Sequence, residues 1–123
     1  MTTPLTFDEV TSTNRTRCER WHPDFPNDGW TGADWSNAMA GECGEACNVV
    51  KKLRRKDLGL SGAVDPERAV LIEKLADELA DTYLYLNLLA EHYAIDLPAA
   101  IVRKFNFISE REGFPDRLRW DVR

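Results

Sequence analysis

The stretch VLIEKLADELADTYLYLNLLAEHY, residues 70–93, decides the fold class. Its apolar side chains recur at steps of three and four residues, which is the period of an amphipathic helix. This series comprises Ile72, Leu75, Leu79, Tyr83, Leu86, Ala90 and Tyr93. Leu84, Leu88 and Leu89 widen the apolar arc beyond a single stripe. The stretch therefore predicts a long central helix that packs against several neighbours.

Start and stop signals before this stretch predict two further helices. Thr6 followed by Glu9 resembles a capping box, and the first helix runs from there to Trp21, before the prolines of HPDFPNDG. A second helix begins within residues 30–34, runs to about Lys56 and ends at the glycines of DLGLSG.

Similar signals delimit the last two helices. Asp65 is the predicted N-cap of the central third helix, with a proline after it, and that helix runs to about Tyr93. Asp96 is the predicted N-cap of a fourth helix, which has Pro98 in its first turn and ends at Gly113.

These elements predict an all-α fold, a four-helix bundle formed by residues 1–123 as one domain. No segment has a convincing strand pattern, and a chain of 123 residues is long enough for one core. The second and third helices should form a long antiparallel pair. Since the third helix is apolar over so much of its circumference, we expect another subunit to complete the core, as a homodimer or homotetramer.

Composition excludes several function classes. The net charge is -5, so we expect no polymeric nucleic acid as a partner. No segment is apolar enough to span a membrane and the start of the chain has no signal-peptide pattern, so we expect a cytoplasmic protein. Cys18, Cys43 and Cys47 suggest neither disulfides nor a zinc site, and we expect Cys43 and Cys47 to be small buried hydrophobic residues.

Two acidic pairs are the candidate chemical groups. Glu42 and Glu45 on the second helix have the same three-residue spacing as Glu78 and Asp81 on the third, so each pair lies on one helix face. In an antiparallel arrangement the pairs can face each other, and four clustered carboxylates would repel one another unless cations lay between them. Oxygen ligands favour Mg²⁺, or Mn²⁺ as a substitute. The alternative is that these acids are solvated surface charges.

The segments GECGEACNVVKKL and DELADTYLYLNLLAEHYAIDLPAAIVRKFN resemble the MazG-like, all-α nucleoside triphosphate pyrophosphohydrolases. The family signature is E-E-x-x-E followed by E-x-x-D on the next long helix, and the resemblance covers residues 35–114. It implies a MazG-like bundle that hydrolyses nucleoside triphosphates to monophosphate and pyrophosphate, with Glu42, Glu45, Glu78 and Asp81 as catalytic Mg²⁺ ligands. The first glutamate of the signature is replaced by Gly41, and the spacer between the two motifs is long.

Other residues are candidate substrate contacts, each with a structural alternative. Lys52, seven residues after Glu45, lies about 10 Å further along the same helix face and suits a phosphate, although KKLRRK also reads as a solvated basic face. The hydroxyl of Tyr85 is a candidate phosphate contact or a core group. Trp30 and Trp35 are candidates for stacking on the base, or anchors of the core or a subunit interface.

The segment KFNFISEREGFP resembles the C-terminal part of viral MazG-like proteins, which makes Lys104 and Asn106 candidate phosphate or sugar contacts. That likeness implies a viral protein in the host cytoplasm that acts on a deoxynucleotide, with dGTP or dATP favoured as in the MazZ subgroup. The alternatives are dUTP, dCTP or damaged nucleotides as substrates, a noncatalytic helical assembly module, and a ferritin-like dimetal site. The last needs two E-x-x-H motifs, and only Glu19 with His22 forms one.

Overall fold

A computed structural model describes residues 2–60, 62 and 64–119, and this part of the chain contains four α-helices and no strand. The helices are α1 (Phe7–Trp21), α2 (Gly32–Asp57), α3 (Arg68–His92) and α4 (Leu97–Glu112). The all-α prediction is confirmed. The chain divides into two compact units, one made of residues 31–86 and the other of the described residues before and after that range. None of the helices in the described ranges is long and apolar enough to cross a bilayer.

The unit of residues 31–86 contains α2 and most of α3. A capping box starts α2, in which Asp34 N–H donates to Thr31 Oγ1 and Thr31 N–H donates to the Asp34 carboxylate. Val49 and Leu53, in the second half of α2, pack with Leu71 and Leu75 at the start of α3. This pairing of the end of one helix with the start of the next makes α2 and α3 antiparallel, as predicted.

The predicted N-cap role of Asp65 is wrong. The helix α3 begins at Arg68, and its first backbone hydrogen bond runs from Leu71 N–H to Glu67 C=O at 3.0 Å. Asp65 instead accepts two hydrogen bonds of 2.9 Å from one nitrogen of Arg55 and one of 3.3 Å from Gly62 N–H. Its side chain joins the α2–α3 connection to the last turns of α2, and Asp65 is not the N-cap because α3 begins three residues later.

The interaction with Arg55 also changes the acidity of Asp65. Burial of this carboxyl would by itself raise its pKa. The hydrogen bond and charge of Arg55, the Gly62 N–H and the charge of Lys56 outweigh burial, so the pKa lies below its ordinary value. Asp65 is therefore an ionised residue that fixes the connection.

The expectation that Cys43 and Cys47 are buried is also wrong, because both thiols are exposed. The buried face of α2 is the one that carries Ala46, Val49 and Leu53. At 100° per residue, the two cysteines lie roughly 90–130° around the helix from the middle of that face. Small, moderately apolar residues at four-residue spacing therefore indicated a shared face correctly, but not which face.

The other unit contains α1, the end of α3 and α4. Thr6 caps α1 through a hydrogen bond from Glu9 N–H, and Asp96 caps α4 through one from Ala99 N–H at 3.1 Å, both as predicted. The helix α4 ends at Gly113, which has a left-handed backbone with φ of 73°. The buried side chains of this unit include Cys18, Phe25 and Leu88.

Candidate metal centre

Three carboxylates converge in the unit of residues 31–86. One ligand oxygen each from Glu42 on α2 and from Glu78 and Asp81 on α3 lie within 4.8 Å of one another. Glu42 and Glu78 are partly buried and Asp81 is exposed. The antiparallel pairing of α2 and α3 brings these residues together, since Glu42 lies far from Glu78 in sequence and next to it in space.

The surroundings of the Glu78 carboxyl are unfavourable for a negative charge. Its Oε2 atom is buried and has no hydrogen-bond partner in the described structure. Burial of the carboxyl contributes most to raising its pKa, and the neighbouring carboxyl groups of Glu45 and Glu42 raise the pKa further, because they favour a shared proton and repel another negative charge. Together these effects raise the pKa of Glu78 to about 7.

Glu45 is at the edge of this cluster. Its side chain is exposed and its oxygens are not part of the group that meets within 4.8 Å. It is nevertheless close enough to raise the pKa of Glu78, and it raises that pKa more than Glu42 does. The structure thus brings the predicted quartet into one neighbourhood, with three members converging and the fourth beside them.

The donor set fits a hard divalent cation. Carboxylate oxygens are the ligands that Mg²⁺ and Mn²⁺ prefer, and no histidine or cysteine belongs to the group. A cation would satisfy the orphaned Oε2 of Glu78 and remove the repulsion that raises its pKa. The three carboxylates could therefore hold a divalent ion.

Gly41 occupies the position at which the resemblance places another glutamate. It is exposed on α2, and a Cβ atom built there would meet no atom within 4 Å. Among the described residues, the space beside this position is therefore open.

Three candidate substrate contacts lie in the same unit as the carboxylates. Lys52 is partly buried on α2 and forms no ion pair with a described residue. Tyr85 is partly buried, and its ring centroid is 6.4 Å from that of Trp35. Trp35 is only 1% exposed, which agrees with its alternative role as a core anchor.

The other three candidates lie in the unit that contains α1 and α4. Trp30 is exposed, and its ring centroid lies 4.9 Å from that of His22 in an edge-to-face arrangement. The ammonium of Lys104 lies 5.4 Å from the centre of the Phe107 ring. Asn106 donates to Leu118 C=O at 2.9 Å and accepts from Leu118 N–H at 2.8 Å, so its amide ties the C-terminal segment to α4. Their contacts with a substrate stay predictions.

Two polar residues have roles that the sequence interpretation missed. The Thr82 hydroxyl donates to the backbone C=O of Glu78 at 2.7 Å, one turn earlier on α3. Asn87 is almost completely buried, accepts from Asn14 and donates to Thr11, each at 3.0 Å. A polar side chain within the apolar run LYLNLLA was the signal for the second role.

A comparison of the chain with protein-family models and with curated proteins gives no match. Any functional assignment therefore depends on the carboxylates and their surroundings.

Proposed function

We propose that this protein is a Mg²⁺-dependent, MazG-like nucleoside triphosphate pyrophosphohydrolase. The observation that supports this most strongly is the convergence of Glu42, Glu78 and Asp81 within 4.8 Å, with a buried Glu78 oxygen that has no partner. The three-residue spacing within each acidic pair, and the order of the pairs on two successive long helices, resemble the family signature apart from Gly41. Mn²⁺ is the expected substitute for Mg²⁺ because both are hard ions.

In this proposal, Glu42, Glu78 and Asp81 would hold the divalent ions, and Glu45 would complete the set. Bound ions would neutralise the triphosphate and lower the pKa of a coordinated water. A water oxygen attacks the α phosphorus, the bond from that phosphorus to the bridging oxygen breaks, and pyrophosphate leaves. Glu45 or Glu42 accepts the proton of the water.

A deoxynucleoside triphosphate is the proposed substrate, with dGTP or dATP favoured by the likeness of KFNFISEREGFP to viral MazG-like proteins. Lys52 lies seven residues after Glu45 on the same face of α2 and would bind a phosphate there. Pyrimidine or damaged deoxynucleotides are the second substrate class, and the same assay distinguishes the two.

The test is a panel of common nucleoside and deoxynucleoside triphosphates incubated with Mg²⁺, with products separated by chromatography. We expect monophosphate and pyrophosphate in equal amounts. The deoxypurine triphosphates should be hydrolysed fastest. Glu78→Gln should abolish the reaction, and Glu110→Gln, an exposed acid on α4, should not change it. Diphosphate with free phosphate would contradict the proposal, as would no turnover of any nucleotide.

We also propose that the active form is a homodimer or homotetramer. Ile72 and Leu79 lie seven residues apart on one side of α3 and are 46% and 55% exposed, with the exposed Ala76 between them. An apolar stripe of this kind is suited to packing against a second copy. Sedimentation velocity should detect a dimer or tetramer that Leu79→Lys weakens, and a wild-type monomer at all concentrations would contradict this.

A further inference from the structure

Thr82 lies on α3 directly after Asp81 and one turn after Glu78, and its side chain is partly buried. Its hydroxyl donates a hydrogen bond of 2.7 Å to the backbone C=O of Glu78. In an α-helix the same C=O also accepts from the N–H four residues later, which is that of Thr82. Because a carbonyl oxygen has two lone pairs, it can accept both bonds. The backbone of Glu78 is therefore joined to Thr82 twice.

This hydrogen bond limits the freedom of both the side chain and the helix turn. A threonine in a helix has two common χ1 rotamers, and a bond from its hydroxyl to the C=O one turn earlier selects between them. Bonds of this kind also alter the local curvature of a helix. The turn concerned is residues 78–82, and it contains both carboxylates that α3 contributes to the converging group. The bond therefore acts on the direction in which Glu78 and Asp81 leave the helix.

The same bond keeps the hydroxyl from serving as a partner for the Glu78 carboxylate. Thr82 has a single hydroxyl hydrogen, and the backbone C=O of Glu78 accepts it. The Oε2 atom of Glu78 is buried and has no hydrogen-bond partner among the described residues, although this hydroxyl lies on the next turn. A hydroxyl turned to that oxygen would compete with a cation for it. The observed hydrogen bond therefore leaves the carboxylate open to an ion.

A hard divalent ion makes strict demands on the direction of its ligands. Mg²⁺ binds oxygen at about 2.0–2.1 Å in near-octahedral geometry, so a small change in the path of the helix changes how well two carboxylates reach one ion. Groups that hydrogen-bond around metal ligands hold those ligands in the binding orientation, and their loss typically lowers metal affinity by about 10–100-fold. Thr82 is suited to this role through the backbone of Glu78.

We propose that Thr82 is a positioning residue of the candidate metal centre. Its bond to the Glu78 C=O fixes the turn of α3 from which Glu78 and Asp81 reach a divalent ion. The bond also keeps the hydroxyl away from the Glu78 carboxylate. Thr82 does not itself contact the ion or the substrate. The proposal rests on the proposed metal-dependent function, and it adds a residue that the spacing of the acidic pairs does not indicate.

The test is isothermal titration calorimetry of the full chain with Mn²⁺ as the probe. Thr82→Val keeps the branched shape and removes the hydroxyl, so it should weaken Mn²⁺ binding about tenfold. Thr82→Ser keeps the hydroxyl and should bind Mn²⁺ as wild type does. Equal affinity of Thr82→Val and wild type would overturn the proposal. An affinity of Thr82→Ser as weak as that of Thr82→Val would also overturn it, because the hydroxyl would then not be the group that matters.

The helix α1 provides a matched control. The Thr16 hydroxyl donates to the Ser12 C=O at 2.9 Å, again one turn earlier, and none of the three converging carboxylates lies on that helix. Thr16→Val therefore removes the same kind of bond and should leave the Mn²⁺ affinity unchanged. A loss of affinity equal to that of Thr82→Val would show a general effect on the helices and overturn the proposal.

Urea unfolding of the metal-free variants separates positioning from stability. Thr82→Ser loses a methyl group from a partly buried site and should unfold more easily than Thr82→Val. Stability and Mn²⁺ affinity should therefore rank these two variants in opposite order, and the same order in both measurements would overturn the proposal. An absence of Mn²⁺ binding by wild type would instead contradict the proposed metal centre, and the role of Thr82 with it.

Discussion

Glu78 holds a proton more strongly than an exposed glutamate because its carboxyl is buried beside Glu45 and Glu42. Once that proton is lost, the charge on Glu78 lowers the stability of the folded chain relative to the unfolded chain. A bound divalent cation would remove this destabilisation, so the residue links metal binding, protonation and stability.

The first prediction concerns pH. The pKa of Glu78 is about 7 in the folded protein and 4.5 is the ordinary value, so between these values the folded state binds more protons than the unfolded state. The contribution of this group to stability is complete below pH 4.5 and is lost as pH rises through about 7. Urea unfolding of the metal-free protein should therefore show stability falling across this window, and the decrease should be smaller in Glu78→Gln.

Glu110→Gln serves as the control for this measurement, because it removes an acid outside the cluster. If Glu78→Gln and wild type have the same pH dependence, Glu78 is not the group that titrates.

The second prediction is that removing charge from single members of the quartet stops catalysis. Glu45→Gln and Asp81→Asn keep the shape of the side chain, and each should reduce turnover by orders of magnitude while the helical circular dichroism is retained. Lys52→Ala should have a milder effect, because it removes a phosphate contact and no metal ligand. Near-normal turnover of Asp81→Asn would mean that this acid is an ordinary surface charge.

At the scale of the helices, two glycines give opposite predictions. Gly41 lies in the interior of α2 with open space around its Cβ position, so Gly41→Ala should stabilise the protein by about 1 kcal/mol. Gly113 ends α4 with φ of 73°, where an alanine is strained, so Gly113→Ala should destabilise it by about 1 kcal/mol. Urea unfolding measures both, and the same sign for the two substitutions would contradict the assigned backbone roles.

The connection between α2 and α3 provides another test. Asp65→Asn removes the charge that Arg55 binds through two contacts of 2.9 Å, and should reduce the free energy of unfolding by about 1–3 kcal/mol. The exposed Asp116→Asn is the control, and its effect should be small. If the two variants unfold alike, the Arg55–Asp65 pair does not stabilise the connection.

The helices themselves were predictable because their signals are local. Thr6, Asp96 and Gly113 act at the ends where the sequence placed them, since a cap or a left-handed glycine needs only its neighbours. Asp65 was misassigned because Arg55, ten residues earlier, binds the same carboxylate. Competition of this kind depends on tertiary contacts, and a local pattern does not contain it.

At the scale of the whole molecule, the acidic pairs were predictable because residues three positions apart lie on the same face of a helix. The hydrogen bonds of Asn87 were not predictable, because its partners Asn14 and Thr11 are 73 and 76 residues away in sequence. Likewise, the burial of Glu78 and the exposure of Glu45 depend on how α3 is rotated against α2. Spacing alone does not determine that rotation.

We propose that Glu42, Glu45, Glu78 and Asp81 form one divalent-cation site. An ion bound only by the folded state stabilises it by about 2.7 kcal/mol at a hundredfold excess over Kd. For a chain of this size, roughly 1 kcal/mol corresponds to a few degrees of melting temperature.

The most direct measurement is the melting temperature in MgCl₂ compared with NaCl of equal ionic strength, for wild type, Glu78→Gln and Asp81→Asn. Because simple screening also relieves repulsion, the NaCl sample isolates specific binding. We expect Mg²⁺ to raise the melting temperature of the wild type by several degrees and that of both variants by less. Without metal, both variants should melt at a higher temperature than the wild type. If NaCl reproduces the whole shift, or if the variants respond to Mg²⁺ as wild type does, the four carboxylates are not one metal site.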